Sequence, residues 1–430
     1  MTDAPLIVTG FVQTWLPVLA ASHPDGSVIL VEEPDVVRKR DIRAKLPQFP
    51  VIRELIEWEY HLPAAADAFA NRYADLRPAA VIPMMEYTTP FVARLAERYG
   101  VPGAGFGAAS LLRDKAQLRT ATRAAGIANP QSRPAAGPGD IRAFLADLGA
   151  PVVLKPANRQ AAIGTMIVRT PDEADAAWQA CLVQDEGIVV PDRPIPLRML
   201  VEQYLSGPEF SVEMLVRDGR PVFANVTGKV VFPGPRPVER GHAVPADIPD
   251  RQAEALRAET VRVLDAVGFG TGVVHCEWIL VDDVPYLVEC AGRLPGDGII
   301  DLIELAYPAQ LYRDYYTLLE GRPLPDPLPE RPAGAAAVWF LHAGAGEVEA
   351  VAGVAEARQV PGVTSCGVTV HPGDRTHELR SSWDRIGSAI ATASTPAEAL
   401  DRARRAVDRL TVRVRPAGEP ARTPVPAPGS

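Results

Sequence analysis

Apolar and polar positions alternate in two rhythms along the first hundred residues. Short apolar runs at Leu6 to Thr9, Ser27 to Val31 and Ala79 to Pro83 read as strands, and Thr89 to Tyr99 repeats its apolar positions at helical spacing. Strands alternating with helices predict a parallel sheet with crossover helices. A helix is expected to begin near Ser110, to hold Asp114 and Lys115, and to stop at Gly126 and Pro130. Pro151 to Lys155, Thr165 to Val168, Arg198 to Tyr204 and Phe210 to Val216 follow as strands, the last with a clear period of two. Arg251 to Val267 is an amphipathic helix, and Val273 to Val281 with Pro285 to Cys290 forms a hairpin.

Pro323, Pro325, Pro327, Pro329 and Pro332 predict a stiff linker over 323–333. A smaller α/β unit is expected over 334–415, with a helix from Pro396 to Leu410. The Pro/Ala/Gly-rich stretch 416–430 has no core-forming residues and is expected to be disordered. A length of 430 residues allows roughly two to four domains. The fold class expected is α/β, with α+β character in the central part.

Charge narrows the partners. With 44 Lys plus Arg against 53 Asp plus Glu, the net charge is −9, and no dense basic block occurs. Nucleic acid and anionic membrane are therefore poor partners. Four scattered cysteines, Cys181, Cys276, Cys290 and Cys366, fit buried thiols in a reducing compartment. Leu6 to Ala21 is apolar, but no Lys or Arg precedes it and Asp3, Gln13 and Pro17 interrupt it, so it does not read as a signal peptide. No apolar run has the length of a bilayer span. A cytoplasmic protein is expected.

The first strand runs into Gly10-Phe11-Val12-Gln13, without the G-x-G-x-x-G of a dinucleotide site. The chemistry centres instead on Glu277 and Glu289, one on each arm of the hairpin. A two-residue turn at Asp282-Asp283 pairs Val281 with Val284 and puts the glutamates on opposite faces. A three-residue loop pairs Val281 with Pro285 and sets Glu277 opposite Glu289. Their Cβ atoms would then lie roughly 4.5 to 5.5 Å apart, where like charges repel. A divalent cation bound through oxygen would offset that repulsion, and magnesium is commonly held by one or two carboxylates plus substrate phosphates.

Arg293 stands four residues after Glu289 and suits a bidentate grip on phosphate or carboxylate. Lys155 ends a Val-rich strand before a loop of small residues, where a lysine can reach nucleotide phosphates. Glu202-Gln203-Tyr204-Leu205, then Gly207-Pro208-Glu209, reads as strand, tight turn and strand; such a connector can offer backbone groups to an adenine edge and Glu209 to a ribose hydroxyl.

In this order Asp114-Lys115, Val153-Leu154-Lys155-Pro156, Val201 through Glu213, Glu277 and Glu289-Cys290-Ala291-Gly292-Arg293 resemble the ATP-grasp superfamily. The resemblance implies an N-terminal parallel-sheet domain at 1–110 and an ATP-grasp domain at 111–322 with a lid at about 125–200. It also implies ATP and magnesium, with manganese as a substitute. Lys115 and Lys155 would contact phosphates, Glu202 and the Tyr204-Leu205 backbone adenine, and Glu209 the ribose. Glu277 and Glu289 would bind the metal, and Arg293 the transferred phosphoryl group. Ala291 replaces an asparagine that many members use as a further metal ligand, and the loop Asn158 to Gly164 is poor in glycine.

Thr227-Gly228-Lys229 through Val238-Glu239-Arg240-Gly241-His242-Ala243-Val244-Pro245 is similar to a stretch of the amino-acid ligase branch, the dipeptide synthetases related to bacilysin synthetase. By that likeness Glu239, His242 and Arg293 would face the amino-acid substrate. The activity implied is an ADP-forming carboxylate–amine ligase working through an acyl phosphate on small molecules. A homodimer stays open. The rivals are a carboxylase or purine-pathway ligase on the same fold, a nucleotide-binding sensor or scaffold without turnover, and a hydrolase built on His275-Cys276. The last conflicts with strand alternation, which sends adjacent side chains to opposite faces.

Overall fold

The computed structural model describes residues 4–182 and 186–416. Of the expected tail, 417–430 lies outside the described residues.

Leu6–Thr9, Val28–Glu32, Ile52–Glu57 and Ala80–Pro83 form one parallel sheet, with Leu6–Thr9 between Val28–Glu32 and Ala80–Pro83. Alternate residues bury on both faces, as parallel sheets require. Ile7, Ile29 and Val81 pack against helices Ala65–Arg72 and Thr89–Tyr99, while Leu6, Val8 and Leu30 join the core around helices Ile299–Ala306 and Leu311–Leu319.

A second, antiparallel sheet holds Ser132–Ala135, Met199–Gln203, Val152–Pro156 and Met166–Val168. Helices Pro138–Leu148 and Ala174–Leu182 close its own small core.

The largest sheet is antiparallel throughout and has eight strands. Their spatial order is Val284–Ala291, Gly272–Val281, Glu209–Arg217, Arg220–Val231, Glu239–Val244, Ala335–Leu341, Gly387–Ala393 and Val363–Val368. It runs without a break across the Pro-rich stretch, because Glu239–Val244 pairs with Ala335–Leu341. Residues 323–333 do not act as a free spacer: Leu324 and Leu328 pack on the core and the Ala333 amide donates to the Ala306 carbonyl at 2.8 Å. Helix Pro396–Val407 packs under the C-terminal strands, and Gly346–Ala352, Arg375–Thr376 and Thr411–Arg415 make a separate small sheet.

Two local expectations are corrected. The single helix through Asp114 is two helices, Phe106–Leu112 and Lys115–Ala124. Asp114 accepts from the Ala116 and Gln117 amides at 2.9 and 3.2 Å, so it caps the second helix instead of continuing the first. The hairpin turn has two residues, with Val281 paired to Val284 and both Asp282 and Asp283 in left-handed backbone (φ 50° and 65°). That register would part the glutamates, but a bulge after Leu287 adds one residue and sets Glu277 opposite Glu289.

Candidate functional site

The central sheet separates its faces by strict alternation. Phe210, Val212, Met214, Val274, Cys276 and Trp278 bury against helix Asp250–Val267. The residues between them, Glu209, Ser211, Glu213, His275 and Glu277, share the other face with Asn225, Thr227 and Lys229, their partners in register. Glu213 accepts from Ser211, Thr227, Asn225 and His275 at 2.6 to 3.0 Å, so this buried polar layer is satisfied and rigid. Cys276 lies on the apolar side, where burial pushes its thiol pKa up, which disposes of a His275-Cys276 hydrolase.

Over the polar face opens a cavity of about 910 Å³, walled by the loops after Thr9 and Pro83, by the sheet of Val152–Pro156 and Met199–Gln203, and by the turn holding Ser382 and Arg385. Every residue singled out from the sequence lines it: Lys115, Lys155, Glu202, Tyr204, Leu205, Glu209, Glu239, His242, Glu277, Glu289 and Arg293.

At one end, charges meet in close pairs. Lys115, first residue of its helix, reaches Glu289 at 3.0 Å and the Arg159 carbonyl at 2.8 Å. Lys155 lies 2.5 Å from Glu202, whose other contacts are to Arg119 at 2.9 and 3.2 Å. Burial opposes ionisation of Glu202, but Arg119 and Lys155 outweigh it and bring the carboxyl down to about 2. Glu202 is therefore engaged by two cations. The Tyr204 amide donates to the Pro151 carbonyl at 3.1 Å, which leaves the neighbouring Leu205 segment to wall the cavity. Gly207 is required here, since a Cβ would meet the Leu280 carbonyl oxygen at 2.0 Å.

Arg293 donates from Nε to Glu86 at 2.7 Å and from a terminal nitrogen to the Leu294 carbonyl at 2.8 Å. Glu86 is buried, which opposes its charge, yet Arg293, Arg113 and Lys115 hold it ionised and below the usual range. Opposite Ala291 stands His275, with Nε2 3.2 Å from Glu277. Burial works against its charge, but Glu213 and Glu277 raise its pKa to about 9.

Lys229 joins this end of the cavity to the other. Its ammonium lies 2.6 Å from Glu277 and 3.4 Å from Glu239, and these glutamates with Glu209 outweigh burial and raise its pKa. Burial pushes Glu209 up to about 6, with Lys229 opposing and Glu277 and Glu239 adding to the rise. A second bulge, at Arg240, brings Glu239 opposite Val231 and His242 opposite Lys229, so residues three apart share a face. Gly241 is obligatory at this bulge, because a Cβ would sit 2.5 Å from the Trp339 ring. Glu239 also accepts from Ser382 at 2.8 Å, and His242 lies 2.8 Å from Asp297, which Arg385 grips with both terminal nitrogens.

Lys229, Glu213, Glu86, Asp297 and Arg385 carried no role in the sequence reading, and His275 carried one only in the rival hydrolase. For Lys229, His275 and Glu213 a signal existed: polar residues at every second position in Glu209-x-Ser211-x-Glu213, Asn225-x-Thr227-x-Lys229 and His275-x-Glu277. Glu86, Asp297 and Arg385 come from loops with no such pattern.

Residues 148–301 match the ATP-grasp domain family, and residues 339–415 match the family described as L-amino acid ligase C-terminal domain 2. An uncharacterized protein, y4rH, of Sinorhizobium fredii is 26% identical over 326 residues, covering 76% of this chain and 66% of its own length. The alanine–anticapsin ligase of Bacillus subtilis is 25% identical over 257 residues, 55% of this chain and 53% of that protein. The matches thus span about half to two thirds of these curated relatives. The crystal structure of an L-amino acid ligase from Bacillus licheniformis superposes with a TM-score of 0.75 at 19% identity, over 96% of this chain and 100% of that one, a likeness of fold. Among the described residues no helix is long and apolar enough to cross a membrane. The chain therefore carries an ATP-grasp domain followed by the second C-terminal domain of L-amino acid ligases.

Proposed function

We propose that this chain is an ATP-dependent, ADP-forming ligase that joins the carboxylate of one amino acid to the amine of another through an acyl phosphate. The observation that supports this most is the bulge-set pairing of Glu277 with Glu289 in a cavity that also holds Lys115, Lys155 and Arg293.

The donor set fits magnesium or manganese. Glu277 and Glu289 pair in register across a hairpin, and among the described residues no cluster of three or more His, Cys, Asp or Glu completes a metal shell, so nucleotide oxygens would supply the rest. Bound there, the ion would neutralise charge on the phosphate oxygens. Lys115 and Lys155 are assigned to the phosphates, the Tyr204-Leu205 segment to adenine and Glu209 to the ribose. Glu202 is assigned to holding Lys155 and Arg119 in place.

The substrate carboxylate oxygen bonds to the γ-phosphorus as the bond to ADP breaks. The amine then attacks the acyl carbon, loses a proton, and phosphate leaves. Arg293, fixed through Glu86 and the Leu294 carbonyl, is positioned to stabilise the transferred phosphoryl charge, since positioning and electrostatics account for most phosphoryl-transfer catalysis. Glu239 pairs with the substrate ammonium.

The test is ADP and phosphate release with magnesium-ATP and pairs of amino acids, with mass spectrometry of the product. A condensed product with stoichiometric ADP is expected. AMP with pyrophosphate, or bicarbonate in place of amino acids as the stimulant, would overturn the reading.

A further inference from the structure

His242 is almost fully buried on the cavity wall, and its Nδ1 has no hydrogen-bond partner. Its Nε2 lies 2.8 Å from Asp297. An ionised carboxylate can only accept, so Nε2 donates in that contact, which in the corresponding tautomer leaves the lone pair on Nδ1. Asp297 is held in place for this. It adopts left-handed backbone (φ 61°), which Asp tolerates better than most residues with a side chain, and its carboxylate is fixed by its surroundings. Arg385 supplies them: one terminal nitrogen donates to Asp297 at 2.9 Å and the other to its second oxygen, and the guanidinium stacks 3.8 Å over the Phe340 ring. The same Arg385 donates to the Glu239 carbonyl at 3.3 Å, while Ser382 in the same turn bonds the Glu239 carboxylate.

We propose that Arg385, contributed by the C-terminal domain, is a positioning residue for the amino-acid substrate. Acting through Asp297, it holds His242 so that Nδ1 accepts from the substrate ammonium beside Glu239. Arg385 itself touches no reacting atom. The C-terminal domain is then part of the recognition machinery, and its turn 381–385 belongs to the amino-acid pocket rather than to the nucleotide pocket. This rests on the ligase reading above, and the two fail differently.

Wild-type enzyme is first assayed for ADP release with magnesium-ATP and a pool of the twenty common amino acids; the amino acid giving most stimulation then serves as the probe. No stimulation would overturn the ligase reading, and this inference with it. Given stimulation, Arg385→Met is expected to raise the probe's KM by about tenfold or more, with nucleotide affinity within about twofold. Arg385→Lys should recover most of the loss. In His242→Ala, adding Arg385→Met should cost little more, because the two act as one unit. Asp297→Asn should behave like Arg385→Met, and it carries the test if that variant does not fold. An unchanged amino-acid KM, equal damage to nucleotide binding, or additive effects in the double variant would overturn the proposal.

Discussion

The two ends of the cavity are built on different principles. At the end proposed for the nucleotide, buried cations and anions neutralise one another at 2.5 to 3.2 Å, as in Lys155 and Arg119 with Glu202, Lys115 with Glu289, and Arg293 with Glu86. At the end proposed for the amino acid, the groups around Glu239 hang on Arg385, 88 residues away in sequence from Asp297, and the buried Lys229 joins the two ends by pairing with both Glu277 and Glu239. The first end is a set of short-range pairs on strands and a helix N-terminus. The second is a relay that crosses from the central strands to a C-terminal turn. Damage at the first should cost chemistry or stability, whereas damage at the second should cost selectivity.

The largest effect should follow from the carboxylate pair. Glu277→Gln and Glu289→Gln are each expected to reduce magnesium-dependent turnover by at least about a hundredfold with the fold retained, read by ADP release and by circular dichroism.

Glu202→Ala should cost stability, by about 3 to 5 kcal/mol in urea unfolding, since it strands two buried cations. The pH dependence has a definite sign. With its folded carboxyl lowered to about 2, Glu202 stabilises fully above its unfolded pKa of roughly 4.3, and the contribution is lost as pH falls from there toward 2. Melting curves between pH 6 and pH 2, with and without Glu202, check this.

A smaller and more selective change is expected of Glu239→Ala. The amino-acid KM should rise by about ten- to a hundredfold, each tenfold being about 1.4 kcal/mol, with nucleotide affinity little changed. Equal damage to both substrates would erase the distinction between the two ends. Lys155→Ala should do the converse and weaken nucleotide binding by about tenfold, because Arg119 still pairs Glu202 and keeps the site folded. Survival of nucleotide affinity within twofold would count against its phosphate role. Ending the chain after Pro416 should leave activity unchanged, and a marked loss would give the last residues a part in the site.

Much of the end proposed for the nucleotide could be read from residues alone. Lys155 on its strand, the Glu202 to Glu209 connector and the Glu277/Glu289 hairpin are contiguous segments in which spacing and strand alternation carry the information. Even so, Glu202 was expected against adenine and is found between two cations, because the position of Arg119 on a neighbouring helix is not written in the strand that bears Glu202. The glutamate pairing was expected from a three-residue loop and arises from a two-residue turn plus a bulge. The register sum is the same, but only the backbone can show how the extra residue is accommodated.

The sequence by itself determined what is local: which residues alternate, where a parallel sheet gives way to antiparallel strands, and which short segments place charged groups at strand ends. That follows because side-chain direction along a strand has a period of two whatever the strand packs against. The tertiary structure alone decided what depends on pairing between distant strands. It placed Ala335–Leu341 beside Glu239–Val244, made one sheet across the Pro-rich stretch, and so delivered Ser382 and Arg385 to Glu239 and Asp297. The physical reason is that an edge strand satisfies its hydrogen bonds with whichever partner the whole chain's burial brings to it, and no periodicity within the strand names that partner.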